Sequence, residues 1–364
     1  MKNAARESCP IVTENLGVRY AEKSREFQGC PSLAVTRGGK IYAAWYAGGF
    51  CEPHMYNYNL LVRSDNGGET WSEPILVIPS SRASCIHALD IQLWLDPCGA
   101  LHVFWVQNNV RSVPDNMPPR LEGQPLVAVD GYLFDDFIHS EWEIVCADPD
   151  AEAPVFSVPH KVYDGFLRCK PLVLKDGRQL HFAYDQICGC YGYNLSQDGG
   201  KSFTRHYGAK KLATTFDEGM AYETENGKIR LLARSSVGEL AQTYSEDALH
   251  WTPAVRSGIV SADSRFFVSR MPSGRILLIC NDHPSLRTNM TACLSEDDGK
   301  TWKYKLLIDG RLDVSYPDAD FYGDTIYLTY DRERRGAKEI LFLALTEDRI
   351  MRVGGVRPAI ISKP

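Results

Sequence analysis

The sequence predicts an all-β protein: a six-bladed β-propeller of four-stranded antiparallel blades, forming one domain over residues 1–364. Two patterns support this prediction. Six segments each contain a β-rich run, a turn with glycine and a second β-rich run, which is typical of a β-hairpin. A box of eight residues, Ser-x-Asp-x-Gly-x-Thr-Trp, recurs between hairpins, and helical periodicity is nowhere convincing.

The six hairpins set the number of blades. Their turn glycines are separated by 60, 78, 50, 47 and 49 residues. A unit of about 50 residues can hold four short antiparallel strands, which is the content of one propeller blade. The turn glycines are Gly39, Gly99, Gly177, Gly227, Gly274 and Gly323.

The boxes read SDNGGETW at 64–71, SQDGGKSF at 196–203 and SEDDGKTW at 295–302, with a variant, SEDALHW, at 245–251. Each follows the second strand of its unit, where a turn between strands three and four is expected. Ser and Asp side chains can cap a turn, and Gly supplies a positive φ. We therefore expect the boxes to be structural, with the Trp packed between neighbouring blades.

The longest interval between hairpins contains a stretch from residue 106 to 141 that follows a second strand. It is too long for a simple connection. Stretches of this length are more often functional or interface loops, so we expect a loop here that meets the substrate or a second subunit.

Bulk composition excludes several classes of function. The net charge of -6 leaves no basic surplus for nucleic acid or a membrane surface. No apolar run approaches the roughly 18 residues of a membrane span, and the first residues lack a signal peptide's apolar core. The eleven Cys form no paired metal-binding pattern, so we expect reduced thiols, a cytoplasmic location, and neither metal nor cofactor.

The boxes resemble the Asp-box, or bacterial neuraminidase repeat, of the sialidase superfamily, whose enzymes are six-bladed propellers. That resemblance implies arginines that clamp the substrate carboxylate, a Tyr nucleophile activated by a Glu, and an Asp acid/base. DEGMAYETENGKIRLLARSS matches the stretch with the glutamate and one arginine, which implies Glu218 and Arg234. LRTNMTACLSEDDGKTW implies Arg287 as a second clamp arginine, and SYPDADFYGDTIYLTYDRE implies Tyr316 as the nucleophile.

Two features depart from the family pattern. The family's first clamp arginine lies in a Phe-Arg-Ile-Pro motif, whereas this chain has Gln28-Gly29-Cys30-Pro31. The loop expected to hold the acidic Asp reads AGGFCEPHMYNYN, with Glu52 and His54 but no Asp.

Strand direction gives an independent prediction of the site. The first strand of each blade begins, and the second ends, at the same face, because the two are antiparallel. Ligand sites form where such loops converge. At these positions we expect Asp90 and Glu52 as candidates for the general acid, alongside the Tyr316 and Glu218 pair. The predicted substrate-binding residues are Arg234, Arg287, Arg265, Lys170, His87, His54, Asp318 and Arg332.

These residues indicate a glycosidase that releases a terminal acidic sugar, a sialic acid or a related ulosonic acid. A neutral phenol suits this substrate, because the acidic group on the anomeric carbon would repel a carboxylate nucleophile. Two alternatives remain open. One is a hydrolase or lyase for uronic-acid glycans, with His87 and Asp90 as base and acid, and the other is a glycan-binding propeller without catalysis. The expected partner is an anionic carbohydrate, and a homo-oligomer is possible.

Overall fold

The structure is a computed structural model. It describes residues 7–364 except 115, 119–125, 187, 215 and 353, and it leaves the side chains of 126 and 135–138 undescribed. Six antiparallel sheets follow one another along the chain, which confirms the predicted all-β, six-bladed propeller. No helix among the described residues is long and apolar enough to cross a membrane.

By internal contacts the chain divides into two compact units, and the first comprises Met1–Phe166, Glu333–Ile340 and Ile360–Pro364. Two 3-10 turns, Val18–Tyr20 and Glu22–Ser24, precede its first sheet. The strands of the first sheet are β1 (Phe27–Val35), β2 (Ile41–Gly48), β3 (Tyr58–Ser64) and β4 (Leu76–Pro79). The strands of the second sheet are β5 (Ile86–Leu95), β6 (Leu101–Ser112), β7 (Leu126–Val129), β8 (Tyr132–Cys146) and β9 (His160–Asp164).

The second unit comprises Leu167–Arg332 and Leu341–Ala359. A short pair, β10 (Phe166–Leu167) and β13 (Ala183–Tyr184), accompanies the third sheet. The third sheet contains β11 (Leu172–Val173), β12 (Gln179–His181), β14 (Cys190–Ser196) and β15 (Thr204–Lys210). The fourth contains β16 (Gly219–Glu223), β17 (Ile229–Ala233), β18 (Glu239–Ser245) and β19 (Val255–Val260).

The last two sheets complete the series. The fifth contains β20 (Phe267–Arg270), β21 (Ile276–Asn281), β22 (Met290–Ser295) and β23 (Tyr304–Asp309). The sixth contains β24 (Val314–Tyr322), β25 (Thr325–Arg332), β26 (Glu339–Thr346) and β27 (Ala359–Ser362), and a short helix α1 (Glu347–Met351) follows β26.

Within each unit, apolar cores lie between successive sheets. In the first unit, Leu61, Leu93 and Trp105 belong to one fully buried cluster. In the second unit, β21 is buried along its whole length, because its ILLICN side chains are covered on both faces. Burial on both faces explains why these strands read as nearly continuous apolar runs.

The boxes lie where the sequence predicts, between the third and fourth strands of their sheets. In the box at 295–302, Ser295 Oγ donates to Asp297 Oδ1 at 2.8 Å and accepts from the Gly299 amide at 2.8 Å. The Trp251 ring of the variant box packs 5.7 Å from Tyr193, a residue of the preceding sheet. The boxes therefore close turns and join neighbouring blades.

The expectation of a loop throughout 106–141 was wrong at both ends, where the chain belongs to strands, while residues 119–125 lie outside the described residues. The chain continues as the long strands β6 and β8, and β7 pairs with β8, so this sheet has five strands. Asp130 and Gly131 form the β7–β8 turn with φ of 48° and 74°. An Asp-Gly turn with two positive φ values matches the twist of a tight hairpin, which extends the sheet in place of a loop.

Candidate functional site

The centre of the candidate site in the second unit is the pair Tyr316 and Glu218. Glu218 stands immediately before β16, and Tyr316 lies near the start of β24. The Tyr316 hydroxyl donates a hydrogen bond to Glu218 Oε1 at 2.8 Å. Both side chains are buried, with residue exposures of 4% and 1%. The two residues implied by the resemblance are therefore in contact, although 98 positions separate them.

A bulge in β24 orients Tyr316. The register with β25 shifts between Ser315 and Asp318, and Tyr316 has φ of 56°, in the left-handed region. This conformation is costly for a bulky residue, and such strain is concentrated at functional sites. A bulge also turns a side chain away from the regular alternation of the strand.

Four arginines surround the pair. Arg234 Nη1 lies 3.0 Å from Glu218 Oε2 and donates to the Tyr316 hydroxyl at 3.1 Å. Arg168 Nη2 lies 3.4 Å from Glu218 Oε1. The guanidinium carbons of Arg168, Arg265 and Arg287 lie 5.1, 5.0 and 5.3 Å from the centre of the Tyr316 ring. The predicted binding residues Arg234, Arg265 and Arg287 are thus brought together.

These charges determine the resting protonation states. Burial acts to raise the pKa of Glu218, but Arg234 and Arg168 outweigh it and lower that pKa to about 2. Burial, followed by the negative charge of Glu218, raises the pKa of Tyr316 above its ordinary value. The resting pair is therefore a neutral phenol beside a carboxylate that can accept its proton.

The other predicted residues of the second unit have different surroundings. Arg265 donates to the backbone carbonyls of Arg168 and Tyr316, at 3.1 Å each, and so supports the backbone under the pair. Lys170 Nζ lies 3.1 Å from Asp318 Oδ2 in a buried ion pair. Arg332 is the last residue of β25, where it pairs with Val314.

Sequence reasoning missed Asp263 completely, and the predicted substrate-binding residues did not include Arg168. Asp263 Oδ1 accepts a hydrogen bond from Arg234 Nε, and the Asp263 carbonyl accepts one from Arg287 Nη2 at 3.2 Å. Asp263 lies between strands with no motif around it, so the sequence carried no signal for it.

In the first unit, both predicted histidines are buried. His87 has no exposed surface, and burial lowers its pKa to about 3. Its Nε2 lies 2.6 Å from the Tyr46 hydroxyl and its Nδ1 lies 3.1 Å from Asn108 Oδ1. Burial also lowers the pKa of His54, which is 3% exposed. The rings of both histidines are thus enclosed by protein, and their role in substrate binding stays a prediction.

The two predicted acid candidates lie near each other in the first unit. Ligand atoms of Glu52, Asp90 and Cys30 are all within 4.8 Å of one another. The Asp90 side chain is buried in a bulge of β5, with φ of 36°. The Glu52 side chain is 26% exposed, and its Oε2 lies 3.4 Å from Arg334 Nη1.

Arg334 also lies against Gly29, the position at which the Phe-Arg-Ile-Pro motif would place an arginine. A Cβ atom on Gly29 would lie 2.7 Å from Cγ, Cδ and Nε of Arg334. The side chain of Arg334 therefore occupies the space that a larger residue at position 29 would need.

Known proteins share this architecture. The model of a BNR repeat-like domain matches residues 148–328. The NanB sialidase from Streptococcus pneumoniae is 15% identical, with 94% of this chain and 71% of that chain covered and a TM-score of 0.66. The intramolecular trans-sialidase from Ruminococcus gnavus is 15% identical, with 89% and 95% covered and a TM-score of 0.65. A protein of unknown function from Dyadobacter fermentans is 17% identical, with 90% and 96% covered and a TM-score of 0.66. No curated protein matches the sequence.

Proposed function

We propose that this chain, a sialidase-like propeller, is a glycosidase that releases a terminal acidic sugar through Tyr316 and Glu218. The observation that carries the proposal is the buried hydrogen bond of 2.8 Å between the Tyr316 hydroxyl and the Glu218 carboxylate, surrounded by arginines. The structural relatives support it, since two of them are named as a sialidase and an intramolecular trans-sialidase.

The balance of charge around Tyr316 favours an anionic sugar. Four arginines lie around Tyr316, so positive charge is concentrated in a largely buried place. An anionic ligand is stabilised by such groups, and guanidinium groups suit a carboxylate well. The arginines are Arg168, Arg234, Arg265 and Arg287.

The reaction proceeds in two displacements. The Tyr316 oxygen attacks the anomeric carbon as its proton passes to Glu218, and the bond from that carbon to the aglycone oxygen breaks. The departing oxygen takes a proton from a general acid, for which Glu52 and Asp90 stay the predicted candidates. Water then attacks the anomeric carbon of the glycosyl-tyrosine and gives a proton to the conjugate base of that general acid, while the departing phenol oxygen regains its proton from Glu218. Two inversions give a product with the configuration of the substrate.

The raised pKa of Tyr316 and the lowered pKa of Glu218 determine the timing of the proton transfer. Transfer to form a free phenolate is uphill, so the proton moves as the new bond to carbon forms. The guanidinium group of Arg234, which donates to the phenol oxygen at 3.1 Å, stabilises the negative charge that develops there.

The test is a panel of fluorogenic glycosides whose sugars carry a 2-carboxylate, a 6-carboxylate or no charge. We expect fluorophore release only from the ketosides with a carboxylate on the anomeric carbon. A fluorinated acidic sugar that traps the intermediate should add its mass to the peptide that contains Tyr316. Release of an unsaturated uronate would instead indicate a lyase. Glycan binding without turnover on any member would show a non-catalytic propeller and overturn the proposal.

A further inference from the structure

We propose that Asp263 is a positioning residue that holds Arg234 and Arg287 through two different groups. Its carboxylate accepts from Arg234 Nε, and its backbone carbonyl accepts from Arg287 Nη2 at 3.2 Å. No other described residue bonds to both of these arginines through separate side-chain and main-chain atoms. The proposal rests on the proposed function, because it assigns separate tasks to two arginines near the nucleophile.

A three-residue turn presents Asp263 in this way. The Ser264 amide donates to the Ala262 carbonyl at 2.8 Å, which makes Asp263 the central residue of the turn. The amide of Ser261 donates to the Gly238 carbonyl at 3.2 Å and thereby ties the chain before the turn to the fourth sheet. These two bonds restrain the side chain and carbonyl of Asp263 beside Arg234, which directly follows β17, and Arg287, which lies in the loop between β21 and β22.

The bonds of Arg234 show that its task is to orient the nucleophile pair. Its Nη1 contacts Glu218 at 3.0 Å and Tyr316 at 3.1 Å, and its Nε is taken by Asp263. A two-pronged grip on a carboxylate requires two adjacent guanidinium nitrogens on one edge. Protein groups already hold one nitrogen of each such edge of Arg234, so this arginine has no complete edge for a substrate carboxylate.

The bonds of Arg287 indicate the complementary task. Its side chain is partly exposed, and only its Nη2 has a hydrogen-bond partner among the described residues, the Asp263 carbonyl. The guanidinium carbon lies 5.3 Å from the centre of the Tyr316 ring, so the group is near the nucleophile. We therefore assign Arg287, aligned by the Asp263 carbonyl, as the arginine that receives the acidic group of the sugar.

Because Asp263 is partly exposed, we infer that its main role is not to stabilise the fold. Its side chain is 36% exposed, and ion pairs with this much solvent contribute little to stability. A loss of Asp263 should therefore affect the alignment of the arginines more than the unfolding equilibrium.

The experiment compares Asp263→Ala, Asp263→Asn and the control Asp176→Ala. Asp176 is the matched control because it is exposed and accepts from the Nε of an arginine, Arg178, at 2.8 Å. On the acidic-sugar substrate we expect Asp263→Ala to lower kcat about 10- to 100-fold and to change KM less, because the carboxylate on Arg234 is lost whereas the main-chain carbonyl on Arg287 remains. Asp263→Asn retains an oxygen that accepts from Nε, so it should stay within about fivefold of wild type. Kinetic constants of Asp263→Ala within twofold of wild type would overturn the inference.

A measurement that needs no substrate tests the positioning role of Asp263 separately from the proposed glycosidase function. With arginine side chains labelled with ¹⁵N, we expect the Arg234 Nε–H signal to be protected from solvent exchange in wild type and in Asp263→Asn. It should lose protection in Asp263→Ala and keep it in Asp176→Ala. Unchanged protection in Asp263→Ala would refute the positioning role whether or not the protein hydrolyses any glycoside. An inert wild type with the expected exchange pattern would refute only the proposed function.

Discussion

Replacement of Tyr316 by phenylalanine removes one oxygen atom and tests the proposed nucleophile directly. That oxygen donates to Glu218 at 2.8 Å and accepts from Arg234 at 3.1 Å. Without it, no atom remains to form the glycosyl-enzyme bond. We expect kcat/KM to fall at least ~10³-fold, equivalent to about 4 kcal/mol of lost transition-state stabilisation.

The same change should leave the protein folded. Two hydrogen bonds to charged groups are lost, and each contributes about 1.5–3 kcal/mol. The Arg234–Glu218 contact at 3.0 Å remains, however, and Arg168 stays 3.4 Å from the Glu218 oxygen that Tyr316 leaves. Because both freed partners keep a charged neighbour, we expect the free energy of unfolding to fall by only about 1–2 kcal/mol.

Tyr330 provides the matched control for Tyr316→Phe. Its side chain is also buried in the sixth sheet, and its hydroxyl donates to the Asp309 carboxylate at 2.9 Å. Tyr330→Phe should lower stability by a similar amount and leave kcat/KM unchanged. The assay is release of a fluorophore from a 2-carboxylate ketoside, with urea unfolding measured in parallel. Activity of Tyr316→Phe within tenfold of wild type, or an equal loss in Tyr330→Phe, would refute the reasoning.

Three further substitutions test the site and the fold. Glu218→Gln leaves the surrounding arginines without their buried carboxylate. Activity should therefore fall ~10²-fold or more, and the free energy of unfolding in urea should fall by about 3–5 kcal/mol. An unchanged urea midpoint would contradict this expectation. The pKa of Asp297 is lowered to about 2 by hydrogen bonds from Thr301, so its contribution to stability is present above about pH 4 and is lost as the pH falls towards 2. The difference in melting temperature between wild type and Asp297→Asn should therefore shrink as the pH falls from about 4 to about 2. A difference that stays constant would contradict this expectation. Trp251→Ala should lower the free energy of unfolding by about 2–3 kcal/mol without altering KM, because this partly exposed ring packs between two sheets.

The blades could be predicted from the sequence because their signals are local. A turn glycine such as Gly177 or Gly274 has positive φ in the structure, and each box forms its bonds within a few residues. The same kind of signal was overlooked at Asp130-Gly131, where a tight turn extends a sheet that was expected to end in a loop.

The site could be predicted only in part, because its contacts join distant positions. Strand direction correctly placed Arg265 and Arg287 beside Tyr316, since the ends of strands follow from blade register. Asp263 contacts arginines that are 29 and 24 positions away in the sequence. It lies in a turn that no local sequence pattern predicts. The His87 ring packs 4.9 Å from that of Phe134, a residue of the extended strand β8 that the sequence analysis did not predict.

The contact between Gly29 and Arg334 makes these two positions interdependent. Any side chain at 29 would meet Arg334 at 2.7 Å, so a bulky residue there and the present conformation of Arg334 exclude each other. The effect of a substitution at 29 must therefore depend on which residue stands at 334. An arginine placed at position 29 by a single substitution would therefore displace Arg334 from Glu52.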